Sequence, residues 1–277
     1  MKHAQLALAF TLIAPFTALP AFAQQISART SPDDNSGTGY FGGSVAISSE
    51  YLGSDDDEIQ VLPYLSLENV KGFDFFGTQL SYRLIEAGTG EGLGKWSLRA
   101  GPNVGWQTGR NSDDSPTLTG FENVDGSIPI GGYVRSTIGP VGLRFDAGQD
   151  IAGGHDGLRA TASIGTFLPL GNVFVRPTLS ANWGDNSHNE SFFGVSTAQS
   201  TASGLDAYDA SSGIYSYTAG LLSWIEFNER YALTFIGSYS WFTDEATDSP
   251  ILLAEDGSDT GFFAAISLSR QFDTKKW

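Results

Sequence analysis

Residues 96–106 read Trp96-Ser97-Leu98-Arg99-Ala100-Gly101-Pro102-Asn103-Val104-Gly105-Trp106. Every second position from Trp96 to Trp106 is apolar or small, while Ser97, Arg99, Gly101, Asn103 and Gly105 stand between them. In an extended chain this period of two sends alternate side chains to opposite faces, one suited to an apolar medium and one to a polar medium. The pattern returns in Leu158–Leu168, Val173–Asn182, Tyr231–Trp241 and Phe262–Leu268.

Such strands build either a soluble sandwich, with the apolar face inside, or an outer-membrane barrel, with that face outside and a polar lumen. Three features favour the barrel. The windows run roughly 9–13 residues, as a tilted strand crossing a bilayer requires, against about 5–6 in soluble sheets. Aromatic residues mark window ends: Trp96 and Trp106, Tyr231 and Trp241, Tyr215 and Phe227. The polar face is rich in Gly, Ser, Thr and Asn and carries isolated Arg99, Arg144, Arg159 and Arg176, as a wet interior allows.

The candidate strands are 40–48, 59–68, 72–83, 95–107, 128–138, 140–149, 158–169, 171–183, 213–227, 230–243 and 260–272. Bacterial single-chain barrels have an even strand number, so in this count of eleven one strand is missed or one is spurious. Placing short turns in the periplasm from both ends of the chain makes the two counts collide between Ile85 and Ser127, with 117–124 as a candidate. The expected fold is all-β: a transmembrane antiparallel β-barrel of about 12 strands, within a range of roughly 10–14.

Lys2, the apolar run to Ala21 with Pro15 and Pro20, and the Ala21-Phe22-Ala23 site read as a signal peptide cleaved before Gln24. The expected division is a leader 1–23, a flexible segment 24–39, a barrel 40–272 and a tail 273–277. The chain has 31 Asp+Glu against 15 Lys+Arg, a net charge of −16. That balance, with no Lys/Arg stripe, argues against nucleic-acid binding. The absence of cysteine excludes a disulfide framework, a thiolate metal site and a Cys nucleophile.

Four stretches, in order along the chain, resemble the MipA/OmpV family of outer-membrane proteins. Tyr51, Gly53, Ser54, Asp55 and Asp56 with Pro63 are similar to its first hairpin, and Gly154, His155 and Gly157 to a glycine-histidine turn. Phe193, Gly194 and Val195 followed by Ser203, Gly204 and Leu205 are similar to a central segment. Asp244, Ala246, Ser249 and Pro250 resemble the acidic loop before a closing strand, here carrying Phe262, Ile266, Leu268 and Phe272. Family members usually stop on an aromatic residue that the barrel-assembly machinery recognises; here Asp273 to Trp277 follow Phe272, which leaves that role to Trp277 or makes the tail a periplasmic extension.

The resemblance implies outer-membrane lipid and lipopolysaccharide as surroundings in a Gram-negative envelope. For the MipA branch it also implies a scaffold joining a murein-hydrolysing lytic transglycosylase to a penicillin-binding synthase. The OmpV branch implies a small-solute channel, or a surface protein serving adhesion or osmotic response.

Catalysis finds little support in the residues. His188 lies among Ser187, Asn189, Glu190 and Ser191, but no G-x-S-x-G elbow orients a nucleophile. His155, between Gly153, Gly154 and Gly157, suits a tight turn in which those glycines take positive φ. The expectation is no enzyme, no catalytic residue and no cofactor. The acid runs Asp55–Glu58 and Asp113–Asp114 lack calcium-loop spacing; loosely held divalent cations bridging them to lipopolysaccharide are the one ion site expected.

Overall fold

A computed structural model of the chain describes residues 37–91, 93–228 and 230–274. The expected leader, most of the segment 24–39, and Trp277 lie outside the described residues.

The elements in order are β1 (Thr38–Ser49), β2 (Asp57–Val70), β3 (Phe73–Phe76), β4 (Gln79–Tyr82), β5 (Ile85–Gly88), β6 (Trp96–Gly105), β7 (Pro129–Ile138), β8 (Val141–Asp150), β9 (Leu158–Thr166), β10 (Leu168–Leu170), β11 (Val173–Gly184), β12 (Gly213–Glu226), β13 (Tyr231–Phe242) and β14 (Thr260–Asp273). Helices α1 (Asn186–Phe193) and α2 (Thr197–Ser203) join β11 to β12, and α3 (Asp244–Thr247) follows β13. Both β4 and β5 pair with β6, and both β9 and β10 with β11, so each couple is one interrupted wall strand. The result is a closed antiparallel barrel of 12 strands. β1 closes it against β14, from Thr38 opposite Asp273 to Ser48 opposite Phe263.

Two expectations about the strand count are corrected here. Residues 72–83 are not one strand but the hairpin β3–β4, in which Phe76 pairs with Gln79 around Gly77 at φ 59°. A two-residue turn inside a run of aromatics leaves the alternation nearly unbroken, which hides it from a periodicity reading. Residues 117–124 form no strand; Pro116–Leu118 is a single 3-10 turn, and Leu118, Phe121 and Val124 are buried.

The faces sort as the alternation predicts. Val45, Val134, Phe145, Ile164, Leu179, Phe235, Ile266 and Leu268 point out and are exposed, while Ser97, Arg99, Asn103, Arg135, Arg144, Thr178 and Ser267 point in and are buried. An outward apolar belt of this kind is stable only in lipid, where closure leaves every central backbone group paired. Trp96 and Trp106 flank β6 and Tyr231 and Trp241 bound β13, all exposed at the borders of the belt. Tyr215 is the exception: it is buried and faces inward. Pro63, which has no N–H, sits where β2 pairs with β1 alone, since β3 reaches only as far as Ser66.

Connections 71–72, 89–95, 139–140, 171–172 and 227–230 fall at one end of the barrel. At the other end lie 50–56, 106–128, 151–157, 185–212 and 243–259, with the single tight turn 77–78. Short turns mark the periplasmic rim and long loops the extracellular one.

Candidate functional site

The long loops fold over the extracellular mouth as a lid with its own apolar core. Tyr51, Leu118, Phe121, Val124, Phe192, Phe193, Val195, Ala246, Ile251 and Leu252 meet there, with Tyr215 and Phe242 contributed by the wall. Phe193, Val195, Leu118, Ala246 and Ile251 are fully covered. The segments that resembled a known family separately in sequence are therefore neighbours in space.

Hydrogen bonds tie them. Ser249 Oγ donates to the Phe193 carbonyl at 2.6 Å, and Val195 and Tyr208 exchange both backbone bonds at 2.8 and 2.9 Å. Asp55 N–H donates to the Asp256 carbonyl at 3.1 Å, and Ser258 N–H to the Gly53 carbonyl at 2.8 Å. Gly53 is held at φ 93°, and a Cβ there would stand 2.6 Å from Leu252 Cδ1, so only glycine fits. Burial opposes ionisation of Asp256, yet the hydroxyls of Ser115 and Thr117, which both donate to it, hold its carboxyl below the usual range. Asp185 and Ser196 cap α1 and α2, accepting from His188 N–H at 2.9 Å and Gln199 N–H at 3.3 Å. Ser203 follows from the same local logic, donating to the Gln199 carbonyl at 2.8 Å before Gly204 ends α2 at φ 82°.

One residue that sequence reasoning missed clamps this lid. Arg110 is 4% exposed; its Nη1 donates to the Phe192 carbonyl at 2.7 Å and its Nη2 to the Ser191 carbonyl at 3.4 Å. These are end-of-helix carbonyls of α1, where a cation is favoured. The guanidinium also lies 5.6 Å from the centroid of Phe121, and burial lowers it to about 10, so it stays charged at neutral pH. An Arg in a polar-looking loop carries no periodic signal.

His155 and His188, expected to be a turn residue and a loop residue, pack edge to face at 4.9 Å between ring centroids. His188 is fully buried, stacks on Tyr215 at 5.0 Å and meets Asn189 Oδ1 at 3.1 Å through Nδ1. Gly154 and Gly157 do not take positive φ, as expected of them; Gly153 and Asp156 do, at 81° and 50°. Gly157 is needed instead because a side chain there would strike the backbone of His188. No described serine hydroxyl bonds either imidazole, and both rings are sealed from solvent.

Burial, with neighbouring His155, lowers His188 to about 3. A histidine whose folded value lies below its unfolded value supports the fold fully above about pH 6.5 and progressively less as pH falls toward 3. Acidification from pH 7 to 4 is therefore expected to raise amide exchange, corrected for its intrinsic pH dependence, in α1 and 151–157 while the wall strands stay protected. His188→Gln should flatten that dependence; equal acid response in both proteins would remove His188 as its source.

On the rim, Glu50 is raised by burial and by the carboxylates of Asp114, Asp56 and Glu58, which places the two acid runs in one patch. Among the described residues, no three His, Asp or Glu side chains converge as a metal site.

Beneath the lid the lumen is filled, and not uniformly wet. Ala46, Leu62, Phe76, Leu222, Trp224, Ile236, Phe263 and Ala265 form an apolar cluster on one side. On the other, Arg99, Arg135 and Arg144 stand directly opposite one another on β6, β7 and β8. Like charges in that register repel, and acids answer them. Arg99 meets Glu86 at 2.8 Å and Glu91 at 3.0 Å, Arg135 meets Glu91 at 3.7 Å, and Arg144 grips Asp146 through bonds of 2.5 and 2.6 Å. Small cavities lie between these groups, of about 40 Å³ beside Tyr64 and Trp224, about 30 Å³ beside Arg99 and Arg135 and about 20 Å³ beside Gln79 and Asn103. Each has room for water.

A closed barrel with a lipid-facing belt, aromatic borders and loops folded over one mouth is an outer-membrane β-barrel protein. The chain belongs to the MipA family: the family model described as MltA-interacting protein MipA matches residues 41–272. It is similar to the outer membrane protein Omp26La of Vibrio anguillarum, 23% identical over 175 residues that cover 63% of this chain and 65% of that protein. It is also similar to the putative outer membrane protein YiaT of Escherichia coli K12, 24% identical over 110 residues, 40% of this chain and 44% of YiaT. The matches thus span less than two thirds of either relative. Among solved structures it is similar to OprB of Pseudomonas putida, with a TM-score of 0.44 and 7% identity over 86% of this chain and 95% of that one. The protein resides in the outer membrane.

Proposed function

We propose that the protein is a non-enzymatic anchor in the outer membrane, holding a lytic transglycosylase and a penicillin-binding synthase of murein metabolism near the membrane. The observation that supports this reading is closure: a folded lid and a packed lumen leave the periplasmic rim as the surface free to work. The family's description as MltA-interacting agrees. A standard partner covers about 800 Å² of each side. The turns 71–72, 139–140, 171–172 and 227–230 are too short for that, which leaves 89–95, the segment preceding β1 and the tail after Phe272 as candidate docking surface. Lipopolysaccharide is the outward neighbour, and any divalent cation at the acidic rim is shared with its phosphates.

Affinity capture from detergent-solubilised envelopes tests the anchor. The tagged mature protein should enrich both murein enzymes over an unrelated barrel of similar size, and lose them when residues 24–36 are deleted. Recovery equal to the control would overturn the reading. The competing reading, a small-solute channel, predicts stepwise conductance in planar bilayers; the packed lumen predicts silence.

A further inference from the structure

The lipid-facing belt is not evenly filled. On the outer surface of β7, β8, β9, β11 and β12 a groove of about 490 Å³ opens toward the bilayer, against about 40 Å³ for the lumenal cavity beside Tyr64. Register accounts for its shape. Phe145, Ala162, Ala181 and Tyr217 stand side by side on four neighbouring strands, so two methyl groups form a floor between two large exposed rings. One step toward the periplasm, Leu143, Ile164 and Leu179 stand abreast and bound the groove on that side. Ser136, opposite Leu143, is the polar residue at its lower corner.

An unfilled dent forfeits dispersion contacts along its lining, and within the belt the surrounding medium that can restore them is hydrocarbon. Its volume falls in the range of roughly 300–1,000 Å³ usual for a ligand site. Charge at the two ends selects the lipid. Above the groove, loops 151–157 and 185–212 carry Asp156, Asp185, Glu190, Asp206 and Asp209 without a Lys or Arg. Arg159, at the start of β9, lines a lumenal cavity instead. Those carboxylates repel the phosphates of a lipid A head group. Below the groove, turns 139–140 and 171–172 hold no acid, and the exposed Lys95 stands beside the first, its carbonyl accepting from Gly139 N–H at 2.9 Å. Ser136 is three residues from Gly139, about 10 Å of strand. Glu91, in the same periplasmic connection as Lys95, is engaged by Arg99 and Arg135. Trp96, next in the chain, is exposed at the belt's border, where head groups begin.

We propose that this groove seats one acyl chain of a phospholipid from the periplasmic leaflet, with the phosphate of that lipid drawn to Lys95. The site is continuous with the lipid interface of the belt and differs from it in holding its lipid against exchange. It does not rest on the anchoring role, and its test needs no murein enzyme.

The full mature chain, extracted from outer membranes in a mild uncharged detergent and weighed by native mass spectrometry, tests it. The mass of a retained lipid tells a phospholipid from lipid A. One phospholipid per barrel is expected to survive extensive detergent washing. Its retained fraction should fall tenfold or more when Ala162→Phe and Ala181→Phe fill the floor, and several-fold in Lys95→Gln. Val45→Phe, outward on β1, should leave it unchanged. The heat-dependent gel shift reports whether each barrel is folded; should the double variant not insert, Ala162→Phe alone and Lys95→Gln carry the test. Wild-type retention equal to that of the filled variant overturns the proposal. So does retention of lipid A in place of phospholipid, or a dimer that the filled variant dissolves, since either gives the groove another occupant.

Discussion

Phe193→Ala is expected to unfasten the lid while leaving the barrel intact. Phe193 is fully buried, with Tyr215 at 5.9 Å and Phe242 at 6.1 Å between ring centroids, and its carbonyl receives the Ser249 hydroxyl. Truncating a core phenylalanine costs about 3–5 kcal/mol through lost burial and the cavity left behind. The lid draws its cohesion from five separate loops, so the loss should spread to all of them. Exchange mass spectrometry should show faster amide exchange in 185–212, 243–259 and 50–56. The heat-dependent gel shift of the barrel should not move. Protection in 243–259 equal to wild type would mean that the loops hold independently.

Arg110→Met is expected to have a comparable effect by a different route. The aliphatic stem is kept; what disappears is the pair of charged donors on the last carbonyls of α1 and the ring contact with Phe121. Hydrogen bonds to a charged group are worth about 1.5–3 kcal/mol each, so a net loss of about 3 kcal/mol is reasonable after methionine recovers some apolar burial. The loss should localise to α1 and 106–128. Arg110→Lys should rescue only part of it, because an ammonium cannot span two carbonyls with a planar fork. Full rescue by lysine would reduce the interaction to simple charge.

The wall was legible in sequence because lipid outside and charge inside impose a strict period on residues such as Leu98 and Arg99. The lid was legible only as a resemblance. Tyr51, Phe193, Val195 and Ala246 lie in loops whose short runs have no periodicity, and nothing in the chain announces that they meet. The lumenal arginines read as signs of water. Their acids were missed because Glu86 and Glu91 belong to the misread stretch after residue 83, and Asp146 because its partner Arg144 is two positions away on the same face. The apolar half of the lumen was also missed: Leu222, Ile236 and Phe263 sit at inward positions, in runs such as Leu221-Leu222 and Phe262-Phe263 that blur the alternation.

The seam between β1 and β14 joins the two extremes of the described chain. No hairpin can template it, so the ladder that seals the cylinder is the most non-local contact in the molecule and its entropic cost falls at the end of folding. Until it zips, both border strands offer unpaired amides along their whole length, an invitation to aggregate in an aqueous compartment. The half-built sheet therefore needs its two open borders shielded until the last strand arrives.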